Sequence, residues 1–584
     1  MSRPVWPGLS RFRRREAGPP TNLGDCTAVY NRTVSNTIFT ARNIVTMNPA
    51  NPEATAVAVR DGMIIAVGSF EECASWGEHE VDDRFADKVL VPGFVEAHGH
   101  TMDALAAMVP HLGYYPYPLA DGTLTEPIQS YEALVAKLRA IDAQLPEGEQ
   151  LLANGFDPIF FPNEERLDKR LLDEVSATRP IFIRHASGHL ATVNSALLAA
   201  EGITRDSVTP GVGRDPDGEP NGELQEAPAM SLATYAMGTL MAKASGPGVV
   251  MIHGEMCRNA GVTTSTELVG VFLLMPHARE PWEQIINSDE FPARMVMYNV
   301  PAMPGSTADY PAVAKAAVDL RDNHSSLKLR NQGIKLVLDG SIQGWTAVML
   351  PPGYYTGDDH GLLLNTPEDL VDALRAFHAQ KLNVHVHCNG NGAVEVFINA
   401  VEEVLRADAW LDHRHVVQHS QTTTAAQYRR MGRLGLCANI FTNHIWYWGD
   451  QHYELTMGPE RARGMWACRT ALSNGVALSF HSDSGVTPIG HLHTMWCAVN
   501  RVTPQGRVLG EYEKLTPYEA LHAATIGGAF QLHMDHEIGS IEAGKLADFA
   551  VLDDSPLDVD PMAIRDISVW GTVVGGVVYE APKP

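Results

Sequence analysis

The sequence has few of the features that mark disulfide-rich, membrane-spanning or nucleic-acid-binding proteins. Seven cysteines are scattered over 584 residues without a CxxC pair, which argues against a disulfide framework or a thiolate zinc site and favours a reducing cytoplasm. No apolar run approaches the ~20 residues that span a bilayer. Lys and Arg number 44 against 69 Asp and Glu, and the net charge of −25 is expected to repel nucleic acid and anionic membrane surfaces.

Two residue classes are plentiful. Hydrophobic residues make up 45% of the chain, which is enough for a sizeable core and excludes global disorder. Histidine occurs 24 times, and it is both the commonest metal ligand and a frequent acid–base group. The positions of the histidines must decide whether this abundance has a function.

The two ends of the chain differ from its middle. Residues 1–36 carry several arginines without a following apolar segment, so we predict a disordered lead-in and no secretory signal. Residues 37–68 are β-rich around the hairpin signal Asp61-Gly62. A similar β-rich pattern occurs over residues 548–580. We therefore expect residues 37–88 and 535–584 to form one small composite β-sandwich domain. Two unrelated β-ribbons are the alternative.

The middle, residues 89–534, alternates short apolar runs with helix-length stretches. Thr366 and Thr516 each precede a proline and are expected to cap two of the helices. Buried strands that alternate with helices predict a parallel sheet, and eight such units predict an α/β fold, a (β/α)8 or TIM barrel. A doubly wound open sheet is the alternative, although no GxGxxG turn follows a strand. The eight candidate strands are 89–100, 261–268, 293–300, 333–340, 383–390, 415–420, 435–443 and 476–483.

A large insertion is predicted after the first barrel strand. About 160 residues separate the first two candidate strands, far more than a connection in such a barrel needs. We place the insertion at about residues 105–250, with an amphipathic helix over residues 131–145. Loops of this kind lie above the active site of a TIM barrel.

Metal-binding and acid–base side chains stand at the ends of five of the eight candidate strands. The HxH pair of the first strand points both imidazoles to the same side. A barrel gathers its strand C-termini at one rim, so these distant positions are expected to form one site. Each residue alone is also compatible with a structural role, whereas the set predicts metal binding. The set is His98, His100, Lys335, His387, His419 and Asp483.

The residue types restrict the metal. Imidazole and carboxylate without thiolate favour zinc, with manganese, iron or nickel as alternatives, and we predict one or two ions. A divalent metal lowers the pKa of water toward ~7, and Asp483 could pass the proton to a leaving group. Lys335 could join the site as a CO2-derived carbamate. Alternatively, it stays an ammonium that pairs with Asp339 or orients the substrate.

These residues, in this order, resemble the amidohydrolase superfamily, and more closely amidohydrolase family 3, which includes N-substituted formamide deformylases. The resemblance implies a metal-bearing TIM barrel with a composite β-sandwich that hydrolyses C–N bonds of amide-like substrates. It also implies that the six residues of the set are metal ligands, with Lys335 carboxylated and Asp483 acting as general acid/base. The matching stretches include VPGFVEAHGH, GIKLVLDGSIQGWTA, NVHVHCNG, HRHVVQHSQ, HSDSGVTP, LTPYEALHAATIGGAF and IGSIEAGKLADFAVLDDSP.

The resemblance also suggests residues on the substrate side. The stretch GHLATVN offers His189 and Asn194, and Glu226 stands at another family position. His444 stands where the family often has a histidine that could polarise a carbonyl. Packing of the insertion is the alternative for each of these residues.

An aromatic wall is a further expectation. The tryptophans that follow the fourth and seventh strands could line the barrel mouth and favour an apolar or aromatic substrate group. Packing against the insertion is again the alternative. These residues are Trp345, Trp446 and Trp448, and Tyr447 belongs to the same expected wall.

Two positions depart from the family pattern. Asn391 follows Gly390 where the family usually has aspartate, and Gln418 stands where it usually has glutamate. Both changes remove a negative charge and keep hydrogen-bonding capacity. The ligand set is complete, so the hydrolase prediction stands, but the substrate of a characterised relative does not transfer.

We therefore predict a cytoplasmic, metal-dependent hydrolase that cleaves an amide, formamide or imide-like C–N bond, other than a peptide bond, in a small molecule. A lactonase or a deaminase that uses the same metal site is the second hypothesis, because the fold does not choose the substrate. A non-catalytic regulatory or binding protein on the same scaffold is the third. Nucleic acid and membranes are not expected partners, and a homo-oligomer is compatible with the family.

Overall fold

The computed structural model describes residues 36–270, 275–302, 306–356 and 360–582. The predicted disordered lead-in, apart from its last residue, lies outside the described residues. The strands are β1 (Asn36–Val45), β2 (Glu53–Arg60), β3 (Met63–Gly68), β4 (His79–Pro92), β5 (Phe94–Glu96), β6 (Leu151–Phe156), β7 (Ile181–His185), β8 (Leu190–Val193), β9 (Val212–Arg214), β10 (Pro220–Gln225), β11 (Val262–Glu267), β12 (Arg294–Asn299), β13 (Leu329–Val337), β14 (Asn383–Cys388), β15 (Val416–His419), β16 (Cys437–Ile440), β17 (Leu478–Phe480), β18 (Phe549–Leu552), β19 (Val569–Val574) and β20 (Val577–Glu580).

An eight-stranded parallel sheet forms the predicted barrel. Its order is β17-β16-β15-β14-β13-β12-β11-β5, and each strand coincides with a candidate strand of the sequence. The two edge strands meet through Ser482, whose backbone N–H lies 3.0 Å from a carboxylate oxygen of Glu96. The TIM-barrel prediction is confirmed.

The helices cover the barrel and fill the insertion. Those of ten or more residues are Tyr131–Asp142, Thr234–Ala244, Pro247–Asn259, Pro276–Ile286, Tyr310–Asn323, Pro367–Ala379, Asn391–Ala407, Ala425–Leu434 and His491–Asn500. Shorter α-helices are Phe70–Ala74, Leu105–Met108, Lys169–Asp173, Ser195–Ala200, Glu226–Met230, His444–Tyr447, Gly449–Gln451, Gly458–Arg463, Cys468–Ser473, Pro517–His522 and Gly528–Gln531. Single 3-10 turns lie at Thr101–Ala104, Pro158–Phe160, Glu511–Glu513 and Pro561–Asp566, and π turns at His452–Thr456 and Ala523–Gly527. No helix in these ranges is long and apolar enough to cross a membrane.

Both predicted helix caps form. The Thr366 hydroxyl accepts from the backbone N–H of Asp369, and Thr516 makes a capping box with Glu519. The second helix continues to Gln531 through the π turn Ala523–Gly527, and Gly527 and Gly528 lie against the edge strands of the barrel. A Cβ at Gly527 would overlap the carbonyl oxygen of Leu478. The glycines therefore let this helix lie directly over the seam of the barrel.

The two chain ends form one seven-stranded sheet of order β20-β19-β18-β4-β1-β2-β3. Phe39 and Phe549, from opposite ends of the chain, share one core, with their ring centroids 6.3 Å apart. The edge strand β3 contacts the C-terminal part of the chain, because the backbone N–H of Ile64 donates to the carbonyl oxygen of Lys545 at 2.8 Å. A rolled sheet from both ends thus accounts for the predicted sandwich. The residues from Asn36 onward form one compact unit, and the domain boundaries stay predictions.

The insertion contains a five-stranded sheet of order β6-β7-β8-β10-β9. One face of β7 packs under the helix Tyr131–Asp142 through Ile181 and Ile183. Phe182, on the opposite face, packs with Leu105 and Val109, which follow the first barrel strand directly. This connection places the sheet beside the C-terminal rim of the barrel.

Candidate metal centre

The barrel brings the first and last strands together at a three-residue cluster. His100 Nε2 and His98 Nε2 lie 3.2 and 3.5 Å from the same oxygen, Oδ1 of Asp483. The three ligand atoms lie within 4.8 Å of one another. Lys335 Nζ, which β13 directs to the same point, lies 3.1 Å from His98 Nε2. A divalent cation fits this donor set, because imidazole and carboxylate face one point.

A second cluster adjoins the first and shares His98 with it. His98, His419 and His481 also place their ligand nitrogens within 4.8 Å of one another. His419 Nδ1 lies 2.9 Å from His481 Nε2 and 3.8 Å from Asp483 Oδ2. His419 Nε2 is buried and has no hydrogen-bond partner among the described residues. An orphaned buried imidazole nitrogen is costly unless a ligand occupies it, so this cluster also suits a metal.

His387, at the end of β14, lies next to the second cluster and contacts a carboxylate. Its Nδ1 lies 3.1 Å from Asp339 Oδ1, and its ring centroid is 4.3 Å from that of His419. Asp339 also accepts from the backbone N–H of Asn389 and Gly390, at 3.0 and 2.8 Å. Asp339 therefore orients His387, and it is not the ammonium partner considered for Lys335.

The amide at position 418 holds His98. Gln418 Oε1 lies 2.7 Å from His98 Nδ1 and accepts from the Asn439 amide at 2.9 Å. Its own NH2 group donates to His385 Nδ1 at 2.7 Å. The amide thereby fixes His98 with Nε2 toward Asp483 and Lys335. Asn391, the other departure, accepts from the Leu350 N–H at 2.8 Å and caps a surface turn.

Two of the cluster residues have an unusual backbone. His419 has φ 68° and Asp483 has φ 51°, in the left-handed region that side chains with a Cβ rarely adopt. Each such residue costs about 1–3 kcal/mol. Strain of this kind concentrates at functional sites, and here it aims the two side chains at one point.

Burial and neighbouring charges set the protonation of the centre. Burial holds the pKa of His98 and of His419 well below the usual range. For His100, burial is outweighed by Asp483 and Glu267, whose carboxylates raise its pKa to about 9. Burial lowers the pKa of Lys335 to about 7. Neutral imidazole is the form that ligates a metal, so His98 and His419 are ready to bind one.

Two insertion residues predicted on the substrate side lie in different places. The ring centroid of His189 is 4.9 Å from that of His387, and its Nδ1 lies 2.8 Å from Glu226 Oε2. Asn194 instead caps the helix Ser195–Ala200 and accepts from the Ile181 N–H at 2.9 Å. Its NH2 group donates to two backbone carbonyls. The expected substrate contact of Asn194 therefore gives way to a structural role, because its amide is fully engaged.

His444 lies behind the ligand cluster. It is buried, with Nε2 3.5 Å from the Gln421 amide and Nδ1 3.2 Å from His452 Nε2. Gln421 in turn donates to Asn389 at 2.6 Å, and Asn389 contacts His387. A short polar chain thus connects His444 with a predicted ligand.

The three tryptophans do not form one wall. Trp448 is buried, donates to Asp157 Oδ2 at 3.0 Å and lies 4.3 Å from the His444 ring. Trp446 faces away, between Trp496 and the guanidinium of Arg565. Trp345 packs near Tyr354. The prediction of a common wall is wrong for these three, because the strand-end loops turn their rings in different directions.

Sequence reasoning missed several residues of the centre. His481 follows β17 directly and stands two residues before Asp483, the same spacing that drew attention to His98 and His100. Glu267 and Asp339 hold ligands from neighbouring strands, and only the folded barrel shows those contacts. His481 was detectable from the HxD spacing, Asp339 was predicted only as a partner of Lys335, and Glu267 gave no signal in the sequence.

Comparison with known proteins agrees with this geometry. The N-substituted formamide deformylase of Arthrobacter pascens is 27% identical over 553 residues, 92% of this chain and 97% of that protein. The Arabidopsis thaliana protein LONG AFTER FAR-RED 3 is 25% identical over 554 residues, 93% and 91% of the two chains. An uncharacterized metal-dependent hydrolase from Pyrococcus horikoshii OT3 shares the fold, with a TM-score of 0.65 and 19% identity over 90% of this chain and 99% of that one. The model of the amidohydrolase family matches residues 86–579, and the chain belongs to that family.

Proposed function

We propose that the protein is a metal-dependent hydrolase that cleaves the C–N bond of an amide-, formamide- or imide-like small molecule. The observation that carries the proposal is the convergence of His98, His100 and Asp483 on one point, with Lys335 beside them. The Arthrobacter pascens relative is named an N-substituted formamide deformylase. Its overall similarity to this chain supports the same bond class.

The ligand set would hold one or two ions, with zinc favoured by its imidazole and carboxylate donors. When bound, such an ion polarises a carbonyl and lowers the pKa of water toward ~7. Burial brings the pKa of Lys335 to about 7, so a neutral amine is available near neutrality. A neutral amine is the form that reacts with CO2, which supports a carbamate at this position.

Asp483 is the proposed general acid/base. Burial would raise the pKa of its carboxyl group, but the bond to His100 and the charges of His100, His481 and Lys335 outweigh burial and lower it. The carboxylate is therefore ionised at neutral pH and can accept a proton from the attacking water. It can then deliver that proton to the departing nitrogen.

An aromatic cleft lies next to this carboxylate and supports an apolar or aromatic group on the substrate. Tyr117 forms part of its wall and accepts from the N–H of Gly485, two residues beyond Asp483, at 3.3 Å. Ring faces bind apolar groups with large buried area. The cleft is lined by Tyr114, Tyr115, Tyr117, Phe160, Tyr447 and Trp448.

The test is an activity screen of metal-reconstituted protein over N-formyl, N-acyl, cyclic imide, carbamate, lactone and amino-heterocycle compounds. We expect turnover with a C–N acyl class. Turnover confined to lactones or amino-heterocycles would favour the lactonase or deaminase hypothesis. A folded, metal-loaded protein without turnover on any class would favour the non-catalytic one.

Replacement of the general acid/base gives the sharper test. Asp483→Asn should lower kcat by about 10²- to 10⁴-fold even with excess metal, whereas the exposed Asp558→Asn should leave it unchanged. Metal content measured for both variants separates loss of the ion from loss of proton transfer. Turnover close to wild type in Asp483→Asn would contradict the assigned role.

A further inference from the structure

Arg184 is a cation without a counterion on the insertion. Its side chain is partly buried, and its guanidinium makes no ion pair and no hydrogen bond with the residues that the structure describes. Other arginines of the insertion are paired: Arg166 with Glu223, and Arg179 with Asp142. A guanidinium has five N–H donors, and those of Arg184 remain available to a ligand.

The strand pattern directs Arg184 toward the metal centre. Arg184 and Phe182 are two residues apart in β7 and therefore lie on the same face. Phe182 packs with Leu105 and Val109, which belong to the segment that directly follows His100. Arg184 is the next residue along this face, toward the C-terminal end of β7. The row of side chains thus leads from the insertion core to the rim of the barrel.

A glycine shows where the guanidinium lies. Gly188 has φ +75°, and a Cβ at this position would overlap the Arg184 guanidinium. The next residue is His189, whose ring centroid is 4.9 Å from that of His387. The guanidinium therefore packs against Gly188, which is next in sequence to the histidine that contacts the predicted ligand His387.

The electrostatic effect of Asp483 on Arg184 agrees with a position of the guanidinium near the metal centre. Burial lowers its pKa to about 10, and the carboxylate of Asp483 acts in the opposite direction. Arg184 thus remains a cation at neutral pH. Asp483 already contacts His98 and His100, so the Arg184 guanidinium has no carboxylate partner among the described residues.

We propose that Arg184 binds a carboxylate of the substrate, so that the substrate is an amide-like compound with a carboxylate near the scissile C–N bond, as in an N-acyl amino acid. The proposal rests on the proposed C–N hydrolase function. A planar guanidinium pairs with a carboxylate through two parallel hydrogen bonds. The aromatic cleft, whose lining includes Ala186 two residues beyond Arg184, would take the side chain of such a compound.

A matched substrate pair tests the proposal. N-formylphenylalanine and N-formyl-2-phenylethylamine differ by the carboxylate alone, and the metal-loaded enzyme should prefer the first in kcat/KM. Arg184→Leu should lower kcat/KM for the first compound by about 100-fold or more and leave the second within a few-fold. Arg184→Lys should retain part of the preference, and the exposed Arg170→Leu serves as control. An equal loss on both compounds, or no loss on either, would overturn the proposal.

A binding measurement keeps the proposal separate from the proposed activity. 3-Phenylpropanoate has the carboxylate and the ring but no C–N bond, and titration calorimetry on the metal-loaded protein gives its Kd. We expect Arg184→Leu to weaken this Kd by tenfold or more, while Arg170→Leu leaves it unchanged. If wild type cleaves neither formyl compound, the activity screen still decides the hydrolase function, and the calorimetric difference decides the role of Arg184. Equal affinity in wild type and Arg184→Leu would refute it.

Discussion

At the scale of single residues, each imidazole of the centre is held at one nitrogen. Gln418 contacts His98 Nδ1, Asp339 contacts His387 Nδ1, and Glu267 lies 3.4 Å from His100 Nδ1. Such partners fix the tautomer and ring orientation of a ligating histidine. The Gln418 departure from the family pattern thus keeps the hydrogen bond that orients His98, and it places a neutral group where a carboxylate would add charge.

This arrangement predicts the effect of removing the amide. Gln418→Leu should weaken metal affinity or activity by about 10- to 100-fold, because His98 loses its acceptor and can rotate. Gln418→Glu keeps an acceptor for His98 and serves as the matched variant. Metal affinity is measured by competition with a chelator of known strength. A Gln418→Leu protein that binds metal as tightly as wild type would show that His98 does not need this partner.

At the scale of elements, the two ends of the barrel strands use histidine differently. The C-terminal ends hold the centre. Near the N-terminal ends of β14 and β15, His378 Nδ1 lies 3.0 Å from His415 Nε2, and His413 Nε2 contacts the carbonyl of Leu434 at 2.8 Å. These histidines cross-link helices and strands, and they account for part of the high histidine count without any catalytic role.

The structural histidines predict acid sensitivity. Burial lowers the pKa of His413 to about 4, so the unfolded chain binds more protons than the folded one below the ordinary histidine pKa of about 6.5. The contribution to stability is therefore complete above pH 6.5 and is lost as the pH falls toward 4. His413→Gln should remove up to about 1.4 kcal/mol per pH unit from the slope of unfolding free energy against pH.

Urea titrations at several pH values between 7.5 and 4.5, at fixed metal concentration, measure this slope. His277→Gln, at an exposed position, is the control and should leave the slope unchanged. A His413→Gln protein with the wild-type slope would show that this imidazole titrates alike in the folded and unfolded states.

At the scale of the whole molecule, a buried ion pair joins the barrel to the sheet made from the chain ends. Arg294 of β12 donates to both carboxylate oxygens of Asp548, at 2.6 and 2.9 Å. Asp548 also accepts from the Gly575 N–H at 2.7 Å. Both ionic side chains are almost fully buried. The pair therefore links the two sheets, and neither charge has another ionic partner among the described residues.

Breaking this pair should destabilise the protein. Arg294→Met leaves the Asp548 charge buried and uncompensated, with an expected cost of about 3–5 kcal/mol in the free energy of unfolding. Arg375→Met, which breaks the exposed pair with Glu403, should cost less than about 1 kcal/mol. Denaturant unfolding measures both. Equal costs for the two variants would mean that the buried pair is solvated in the folded protein.

The sequence by itself determined the barrel, its eight strands and a cluster of candidate metal ligands at their ends. These features follow from local rules: apolar runs of strand length, helix caps such as Thr366, and the i, i+2 spacing of His98 and His100. The family is confirmed by the family model that matches residues 86–579. Local patterns were sufficient because the barrel closes its strands in chain order and gathers their ends at one rim.

Only the tertiary structure decided which side chains meet across the chain. Asn194 and Trp446 stand in family-like stretches, yet the first caps a helix and the second packs outward. Arg184 lies in an ordinary strand of the insertion, and its isolation depends on which carboxylates the fold brings near it. Contacts between residues far apart in sequence depend on strand order and loop packing, and a linear pattern does not encode the distances and burial that determine them.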